Sequence, residues 1–288
     1  MTRGIERRDV VRRAAGATLA VVLALGAGAC GSGGSDPGSA EAGADGTASS
    51  TTTLSPVPGA DLAGRWAHYD IVAYEDDTLK IQIISYGFTD FAVEDGQLIE
   101  SEEFCTAEQV SDQAMQTSIS DAATRAIRPV STPVEVSGEP GAWQVSRPAT
   151  PTPVGIRLDD PANESLPTDP DDPRVVDDDG DGKPGVTVVL RLGDSYEEEL
   201  YIARREIFAY DLAQNGPDSM TGTVTDSSEQ LVIGATDPIL EGSGGAWVQV
   251  ADRSYSPILL ERVDEDWDCD RLIAERDELF PPNPPIEW

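Results

Sequence analysis

Basic residues are scarce in this chain. Twenty Lys and Arg stand against 53 Asp and Glu, which gives a formal net charge of −33, and only Lys80 and Lys183 are lysines. Such a charge repels phosphate groups, so the composition argues against nucleic acid as a partner and against electrostatic binding to anionic lipid. It is consistent with a salty habitat or a cation-rich cell surface. The coding bias of a GC-rich genome, which depletes lysine and enriches aspartate, is the alternative explanation.

Histidine is scarcer still, because His68 is the single one. Histidine-based catalytic triads that do not use His68, and histidine-rich metal sites, are therefore excluded. His68 alternates with Trp66 and Asp70 along a β-prone run, which predicts an ordinary position in a β-barrel. The chain also has no phosphate-binding loop and no dinucleotide fingerprint, and Ser243 lacks the G-x-S-x-G spacing of a nucleophile. An enzyme would have to use a carboxylate pair, as glycosidases do, and no two acids stand out.

The cysteines are few, at positions 30, 105 and 269. Cys30 lies in an N-terminal segment of distinct composition. In an oxidising compartment, Cys105 and Cys269 are the only possible internal pair. Their disulfide would join the first third of the domain to its last segment, which favours one domain over two. Two buried free thiols are the alternative.

Residues 1–29 have the layout of a signal peptide. A basic front with five arginines precedes an apolar run over residues 14–29, which is shorter than the bilayer span of about 20 residues. The segment "RRDVVR" (7–12) resembles the twin-arginine export signal. An ordinary basic leader is the alternative.

Small residues stand directly before Cys30, in "AGAC". This segment resembles the lipobox of bacterial lipoproteins, with Ala27 where that family usually has Leu. The resemblance implies that Cys30 is acylated and anchors the protein to a membrane of the bacterial cell envelope, outside the cytoplasm. Gly31 replaces the aspartate that retains some lipoproteins at the inner membrane, which favours the outer membrane or the cell surface. A secreted protein with an unpaired thiol is the alternative.

Residues 30–60 are rich in Gly, Ser, Ala and Thr and have almost nothing to bury. They predict a disordered tether that reaches about 30 Å on average. Residues 61–288 then predict a single β-rich domain. Alternating polar and apolar runs follow one another with connections too short for crossover helices. The expected fold class is all-β, an antiparallel meander forming a barrel or a sandwich.

Local signals add detail to this domain. Asp95-Gly96 predicts a two-residue hairpin. A short C-terminal α-helix is expected after Asp268 or Asp270, with Pro281 and the proline after it as the stop. Residues 106–127 fit either a helical face or strands. A long Pro/Asp-rich loop is predicted at 148–184, and a loop of this length is usually functional or disordered.

The tripeptide G-x-W occurs three times, ending at Trp66, Trp143 and Trp247. The first copy, in "LAGRW", resembles the G-x-W that opens the first strand of lipocalins and related calycin barrels. That resemblance implies a lipocalin-like barrel with Trp66 plugging one end. The alternative is that Trp66 is simply a large core residue at the start of a strand.

The densest acidic stretch is "DDDGDGK", residues 177–183. Asp177, Asp179 and Asp181 stand at alternate positions with Gly182 next, so the three carboxylates turn inward together around one hard cation. The stretch resembles the calcium loops of EF-hand, thrombospondin type 3 and FG-GAP proteins. It predicts a Ca²⁺ site with the carbonyl of Lys183 as a fourth ligand. A solvated acidic turn is the alternative.

The acidic stretch departs from those families at its end. Val188 and Gly185 occupy positions where the families place carboxylates, so any closing ligand must come from elsewhere. The acids nearest in sequence are Asp171, Asp172 and Asp194. An incomplete ligand set predicts weak binding, with a Kd on the order of 10⁻⁴–10⁻³ M.

Three functions remain open. We expect a lipid-anchored binding or structural module, stabilised by calcium and without catalytic activity, whose partner is an envelope component. The second is a lipocalin-like carrier of a small apolar ligand. The third is a carboxylate-based enzyme acting on envelope glycans.

Overall fold

The structure is a computed structural model that describes residues 56–77, 79–193, 195–241 and 247–288. The predicted signal peptide, Cys30 and most of the predicted tether lie outside these residues. Within them, strands dominate. The strands are β1 (Gly64–Glu75), β2 (Lys80–Glu94), β3 (Gln97–Ser111), β4 (Met115–Ile119), β5 (Thr132–Pro133), β6 (Glu135–Ser137), β7 (Gln144–Val154), β8 (Val186–Leu192), β9 (Tyr196–Gln214), β10 (Ser219–Asp226), β11 (Glu229–Ala235), β12 (Val248–Gln249) and β13 (Pro257–Arg262). The α-helices are α1 (Asp121–Arg125) and α2 (Cys269–Leu279).

Strand β9 is the longest and belongs to two parts of the sheet. Its first half pairs with β8 and β11, and its second half pairs with β7 and β10. From β10 the sheet continues through β13, β1, β2 and β3 to β5, and the registered pairs are antiparallel. The sheet curls into a half-barrel. The predicted all-β antiparallel class with a short C-terminal helix is confirmed.

The hairpin between β2 and β3 forms where the sequence predicted it. Glu94 pairs with Gln97, so only Asp95 and Gly96 lie in the loop. Both have positive φ, 48° and 80°. Two positive values in a two-residue loop match the right-handed twist of the flanking strands, and Asp-Gly is among the few dipeptides that adopt them readily.

The two faces of β1 bury different cores, because successive side chains of a strand point to opposite sides. Trp66 points into the half-barrel and packs in a cluster that includes Leu212 of β9. Tyr69 points outward and packs in a second cluster with Leu272 of α2 and Phe280. Helix α2 therefore covers the outer face of the sheet.

Asp268 caps α2, since its side chain accepts the N–H of Arg271 at 2.9 Å. The disulfide between Cys105 and Cys269 then joins β3 to the first residue of this helix. The predicted pairing is confirmed. Among the described residues, no helix has the length and apolar character needed to cross a bilayer.

The ambiguous segment 106–127 forms strand over half of its length. It supplies the end of β3, all of β4 and the short helix α1, which Ser120 caps. A helical face through Val110 and Met115 is not formed, since both lie on strands and are 42% and 39% exposed. Thr106 and Thr117, like other β-branched residues, favour the extended conformation.

The loop predicted at 148–184 begins later in the structure. Residues 148–154 complete β7, and residues 150–154 pair with β9, so the loop spans 155–185. The prolines in this half of β7 are tolerated because β6 pairs only with residues 144–146, which leaves an edge. Proline lacks the N–H group that an inner strand would need.

Trp66 is fully buried where β1 begins. Its Nε1–H donates to the carbonyl of Leu62 at 2.9 Å, in a 3-10 turn that precedes the strand. Trp143 also approaches this turn, since its Nε1–H donates to Asp61 Oδ1 at 2.7 Å. This position fits both a calycin-type plug and a plain core tryptophan, so the resemblance stays a prediction.

Candidate metal centre and a buried charge network

The acidic stretch lies at the end of the 155–185 loop, just before β8. The loop has a small core of its own, in which Ile156 and Leu166 pack with Ala203 of β9. The guanidinium of Arg205 on β9 donates to two loop carbonyls at 2.8 and 2.7 Å. The loop is therefore a packed part of the domain and can hold side chains in place.

Asp177, Asp179 and Asp181 come together in this loop. Each offers a carboxylate oxygen, and these oxygens lie within 4.8 Å of one another. Gly182 follows with φ 83°, in the left-handed region that glycine adopts without steric cost. The chain thus reverses directly after the third aspartate, as the spacing predicted.

Backbone N–H groups hold the carboxylate of Asp177. Its Oδ2 accepts from Gly182 at 2.9 Å, and its Oδ1 accepts from Gly180 and Asp181 at 2.7 and 3.1 Å. These hydrogen bonds, with that of Gly182 the strongest, lower the pKa of Asp177 because they favour the charged form. Asp177 is therefore kept as an anion.

Asp179 is in the opposite situation. Its Oδ2 accepts the N–H of Thr187 at 2.9 Å, while its Oδ1 is buried and has no hydrogen-bond partner. Burial raises the pKa of Asp179 and the charge of Asp181 adds to this, although the Thr187 hydrogen bond opposes both. A cation between the carboxylates would give Oδ1 a partner and relieve the repulsion.

Lys183, whose carbonyl is the predicted fourth ligand, uses its side chain for a different contact. Its ammonium group donates to Glu199 Oε2 on β9 and lies 3.9 Å from Asp181 Oδ2. This pair raises the pKa of Lys183 and lowers that of Glu199. The side chain therefore offsets part of the negative charge from the β9 side, and the carbonyl stays a predicted ligand.

Asp178 points away from the other three aspartates. Its Oδ2 accepts from the backbone of Gly155 at 2.8 Å and from Arg157 Nη1 at 3.0 Å. The carboxylates of Asp177 and Asp179 face the convergent group, and that of Asp178 faces the start of the loop. Asp178 therefore ties the acidic stretch to the start of the loop, a role that the sequence analysis missed.

Asp171 and Asp172, two of the acids nearest in sequence, do not join the metal site. Asp172 pairs with Arg174 at 2.8 Å, and the hydrogen bonds from Arg174 lower the pKa of Asp172 to about 2. In the part of the chain that the structure describes, Asp177, Asp179 and Asp181 form the convergent group without Asp171 or Asp172. Asp194 lies outside the described residues. The remaining ligands of an ion would be carbonyl oxygens and water.

His68 lies on the inner face of the half-barrel and makes two polar contacts there. Its Nε2 lies 3.0 Å from Asp70 Oδ2, and its Nδ1 lies 2.9 Å from Thr89 Oγ1. The order carboxylate, imidazole and hydroxyl is that of a catalytic relay. All three side chains are at most 1% exposed, so no substrate can reach the hydroxyl.

A second set of charges lies beside His68. Arg147 of β7 bonds Glu100 Oε1 through Nε and lies 3.0 Å from Glu102 Oε2 through Nη2. The remaining oxygen of Glu102 is 3.7 Å from His68 Nδ1. The ring of Phe208 stacks on His68 with 6.3 Å between centroids. Charged and aromatic side chains therefore occupy the interior that a carrier would keep for its ligand.

Part of this network could be predicted from the sequence. Leu98, Glu100, Glu102 and Phe104 alternate along β3, so the two glutamates share a face with two large apolar residues. That pattern places carboxylates on a buried face. It does not identify Arg147, because the partner comes from a strand more than forty residues away.

Comparison with known proteins does not assign either group of residues. No protein-family model, curated protein or solved structure matches the chain. The chemistry has to be inferred from the side chains themselves.

Proposed function

We propose that this chain is an extracytoplasmic β-rich binding or structural module, lipid-anchored at the bacterial cell envelope through Cys30 and stabilised by calcium. The calcium ligands would be Asp177, Asp179, Asp181 and the Lys183 carbonyl. One observation carries the metal proposal. Three carboxylate oxygens converge within 4.8 Å, and the buried Asp179 Oδ1 among them lacks a hydrogen-bond partner.

Calcium suits this set of oxygens better than other common ions. It takes six to eight oxygen ligands in a flexible geometry, whereas magnesium requires a near-ideal octahedron and gives up its waters reluctantly. Three carboxylates, one carbonyl and a few waters match the first requirement. Sulfur and nitrogen ligands, which softer metals favour, are not part of the described group.

A bound ion would act on stability, because its ligands are attached to the sheet. The Thr187 N–H donates to Asp179 at 2.9 Å, and its hydroxyl donates to Asp181 at 2.6 Å. Thr187 is the second residue of β8. An ion held by these aspartates would therefore fasten the end of the loop to β8. Weak affinity is adequate outside the cytoplasm, where calcium sites of 10⁻⁴–10⁻³ M are usual.

The lipid anchor explains how so acidic a chain could stay at a membrane. A net charge of −33 is repelled by anionic lipid, so electrostatics cannot supply the attachment. The lipobox-like "AGAC" and the Gly/Ser-rich tether after it support attachment through an acylated Cys30. A tether of this kind would present the domain to an envelope component.

The interior disfavours the two other functions. An apolar ligand carried inside the half-barrel would have to lie against Glu102 and Arg147, whose charges would lose their present partners. Glu100 and Glu102 are 0% and 6% exposed, so a polysaccharide could not reach this carboxylate pair. The binding or structural module is therefore preferred.

Calcium titration of the mature protein by isothermal calorimetry tests the proposal. We expect one site with a Kd on the order of 10⁻⁴–10⁻³ M, and loss of this site in Asp179→Asn/Asp181→Asn. Asp277→Asn makes the same kind of change at a 98% exposed position on α2 and should bind like the wild type. Absence of saturable calcium binding in the wild type would overturn the metal proposal.

A further inference from the structure

The half-barrel encloses ionisable side chains that solvent does not reach. His68 and Asp70 of β1, Glu100 and Glu102 of β3, and Arg147 of β7 are each at most 6% exposed. Three of these groups are acids and two are bases. If all five were ionised, the enclosed space would carry one unbalanced negative charge, and an unpaired buried charge is strongly unfavourable.

We infer that Glu100 and Glu102 hold one proton between them at neutral pH, and that its loss at higher pH destabilises the folded protein by leaving an unbalanced charge in its interior. Two buried oxygens, Glu100 Oε2 and Glu102 Oε1, have no hydrogen-bond partner. Arg147 already binds the other oxygen of each carboxyl group. One added proton leaves a single carboxylate facing Arg147 and makes the five-residue group electrically neutral.

Arg147 links β7 to β3 through side chains. Within the described ranges, β3 pairs with β2 and β5, β7 pairs with β6 and β9, and no backbone ladder joins β3 to β7. Arg147 donates to Glu100 and to the carbonyl of Phe208 on β9, besides its ion pair with Glu102. The guanidinium therefore contacts two strands besides its own, and a second ionised glutamate beside it would be a buried charge without a balancing cation.

Side chains of neighbouring strands affect the protonation of Glu100 and Glu102. His68 and Asp70 come from β1, and Tyr210 and Glu206 come from β9. Burial raises the pKa of Glu100 to about 8 and the charge of Glu102 adds to this, while Arg147 opposes both. Burial also raises the pKa of Glu102, against Arg147 and His68.

The acids around His68 favour its protonated form. Burial opposes its charge, but the hydrogen bond and charge of Asp70, with the charges of Glu102 and Glu100, raise its pKa above the usual value. Thr89 of β2 and Thr132 of β5 are the neutral polar neighbours on the remaining strands.

The direction of the pH effect follows from the raised pKa of Glu100. The folded protein binds this proton more tightly than the unfolded chain, whose glutamate has the usual value of 4.5. The contribution of this proton to the free energy of unfolding is complete below about pH 4.5 and is lost as pH rises towards 8. Between these limits, the unfolding equilibrium constant should rise up to about tenfold per pH unit from this group alone.

The test compares amide variants of the mature protein, since glutamine has the shape of a protonated glutamate. Denaturant unfolding is measured from pH 5 to 9 for the wild type, Glu100→Gln, Glu102→Gln and Glu103→Gln. Glu103 lies on the same strand, pairs with Arg65 and is 46% exposed, so Glu103→Gln is the matched control. Infrared spectra at pH 7 report the carbonyl band of protonated carboxyl groups independently of stability.

The slope of the logarithm of the unfolding constant against pH gives the number of protons released on unfolding. We expect this number to be smaller by about one in Glu100→Gln and in Glu102→Gln, and unchanged in Glu103→Gln. The wild type should show a protonated carboxyl band at pH 7 that disappears towards pH 9 and is missing in Glu100→Gln. If one of the two amide variants does not fold, the slope of the other against that of Glu103→Gln still decides. Absence of that band at pH 7, or unchanged slopes in both variants, would overturn the inference.

Discussion

The guanidinium of Arg262 lies over the indole ring of Trp66, 4.2 Å from the ring centroid. Arg262 ends β13, and Trp66 lies near the start of β1, with which β13 pairs. The same guanidinium donates to the carbonyls of Asp61 and Ala63 at 2.9 Å each. One arginine therefore holds the tryptophan, the last strand and the turn before the first strand together.

Replacing Arg262 should loosen this end of the half-barrel. Arg262→Ala removes a cation–π contact and two hydrogen bonds to carbonyl oxygens, so we expect a loss of about 2 kcal/mol in the free energy of unfolding. Denaturant unfolding monitored by tryptophan fluorescence measures it. Arg191→Ala, at a 49% exposed arginine paired with Glu197, is the control and should cost less than about 0.5 kcal/mol. If both variants lose the same free energy of unfolding, the contacts of Arg262 contribute no more than an exposed ion pair.

The disulfide between Cys105 and Cys269 should contribute strongly to stability. It closes a loop with a sequence separation of 164 residues. The chain-entropy model gives about 5 kcal/mol for a loop of this length. We expect Cys105→Ser/Cys269→Ser to unfold at a much lower denaturant concentration than the wild type. Non-reducing peptide mapping of exported protein should find the two cysteines joined, and two alkylatable thiols there would contradict the account.

Membrane attachment should depend on Cys30 alone. Because the acidic domain is repelled by anionic lipid, Cys30→Ser should move the protein from the membrane fraction to the soluble fraction. Fractionation followed by immunoblotting measures the distribution. Ser35→Ala, a conservative change in the predicted tether, should leave the protein on membranes. If Cys30→Ser protein still sediments with membranes, another element attaches it.

Local signals predicted much of the fold because they act over a few residues. Asp95-Gly96 readily adopts the backbone angles of a two-residue turn, and Asp268 caps α2, which begins at the next residue. The three aspartates of the loop converge because the turn through Gly180 and Gly182, whose N–H groups bond the Asp177 carboxylate, is also local. Long-range partners could not be predicted in this way. Arg157 with Asp178, and Arg147 with the two glutamates of β3, meet only after the sheet has curled.

The segment 106–127 shows where the spacing of apolar residues fails to predict secondary structure. Its apolar spacing suits a helix, but the chain pairs through β3 and β4, because the ladder hydrogen bonds with neighbouring strands outweigh a weak helical propensity. The loop boundary near residue 154 has a similar cause. The prolines predict a loop, but they can lie in a strand here because this half of β7 pairs on one side only.

Calcium is expected to stabilise the fold through Asp179 and Asp181. An ion that binds only the folded state adds RT ln(1 + [L]/Kd), so a Kd near 10⁻⁴ M gives about 2.7 kcal/mol at roughly 10 mM calcium. Without metal, Asp179→Asn/Asp181→Asn should be at least as stable as the wild type, because the substitutions remove carboxylate repulsion. Screening of the acidic surface also stabilises, so magnesium at matched ionic strength is the necessary control.

The most direct test is the melting temperature in calcium against magnesium at equal ionic strength, for the wild type, Asp179→Asn/Asp181→Asn and Asp277→Asn. We predict a calcium excess in the wild type and in Asp277→Asn that the double variant loses. If the two ions stabilise the wild type equally, or if the double variant keeps the calcium excess, the acidic stretch is a solvated turn and the calcium proposal is wrong.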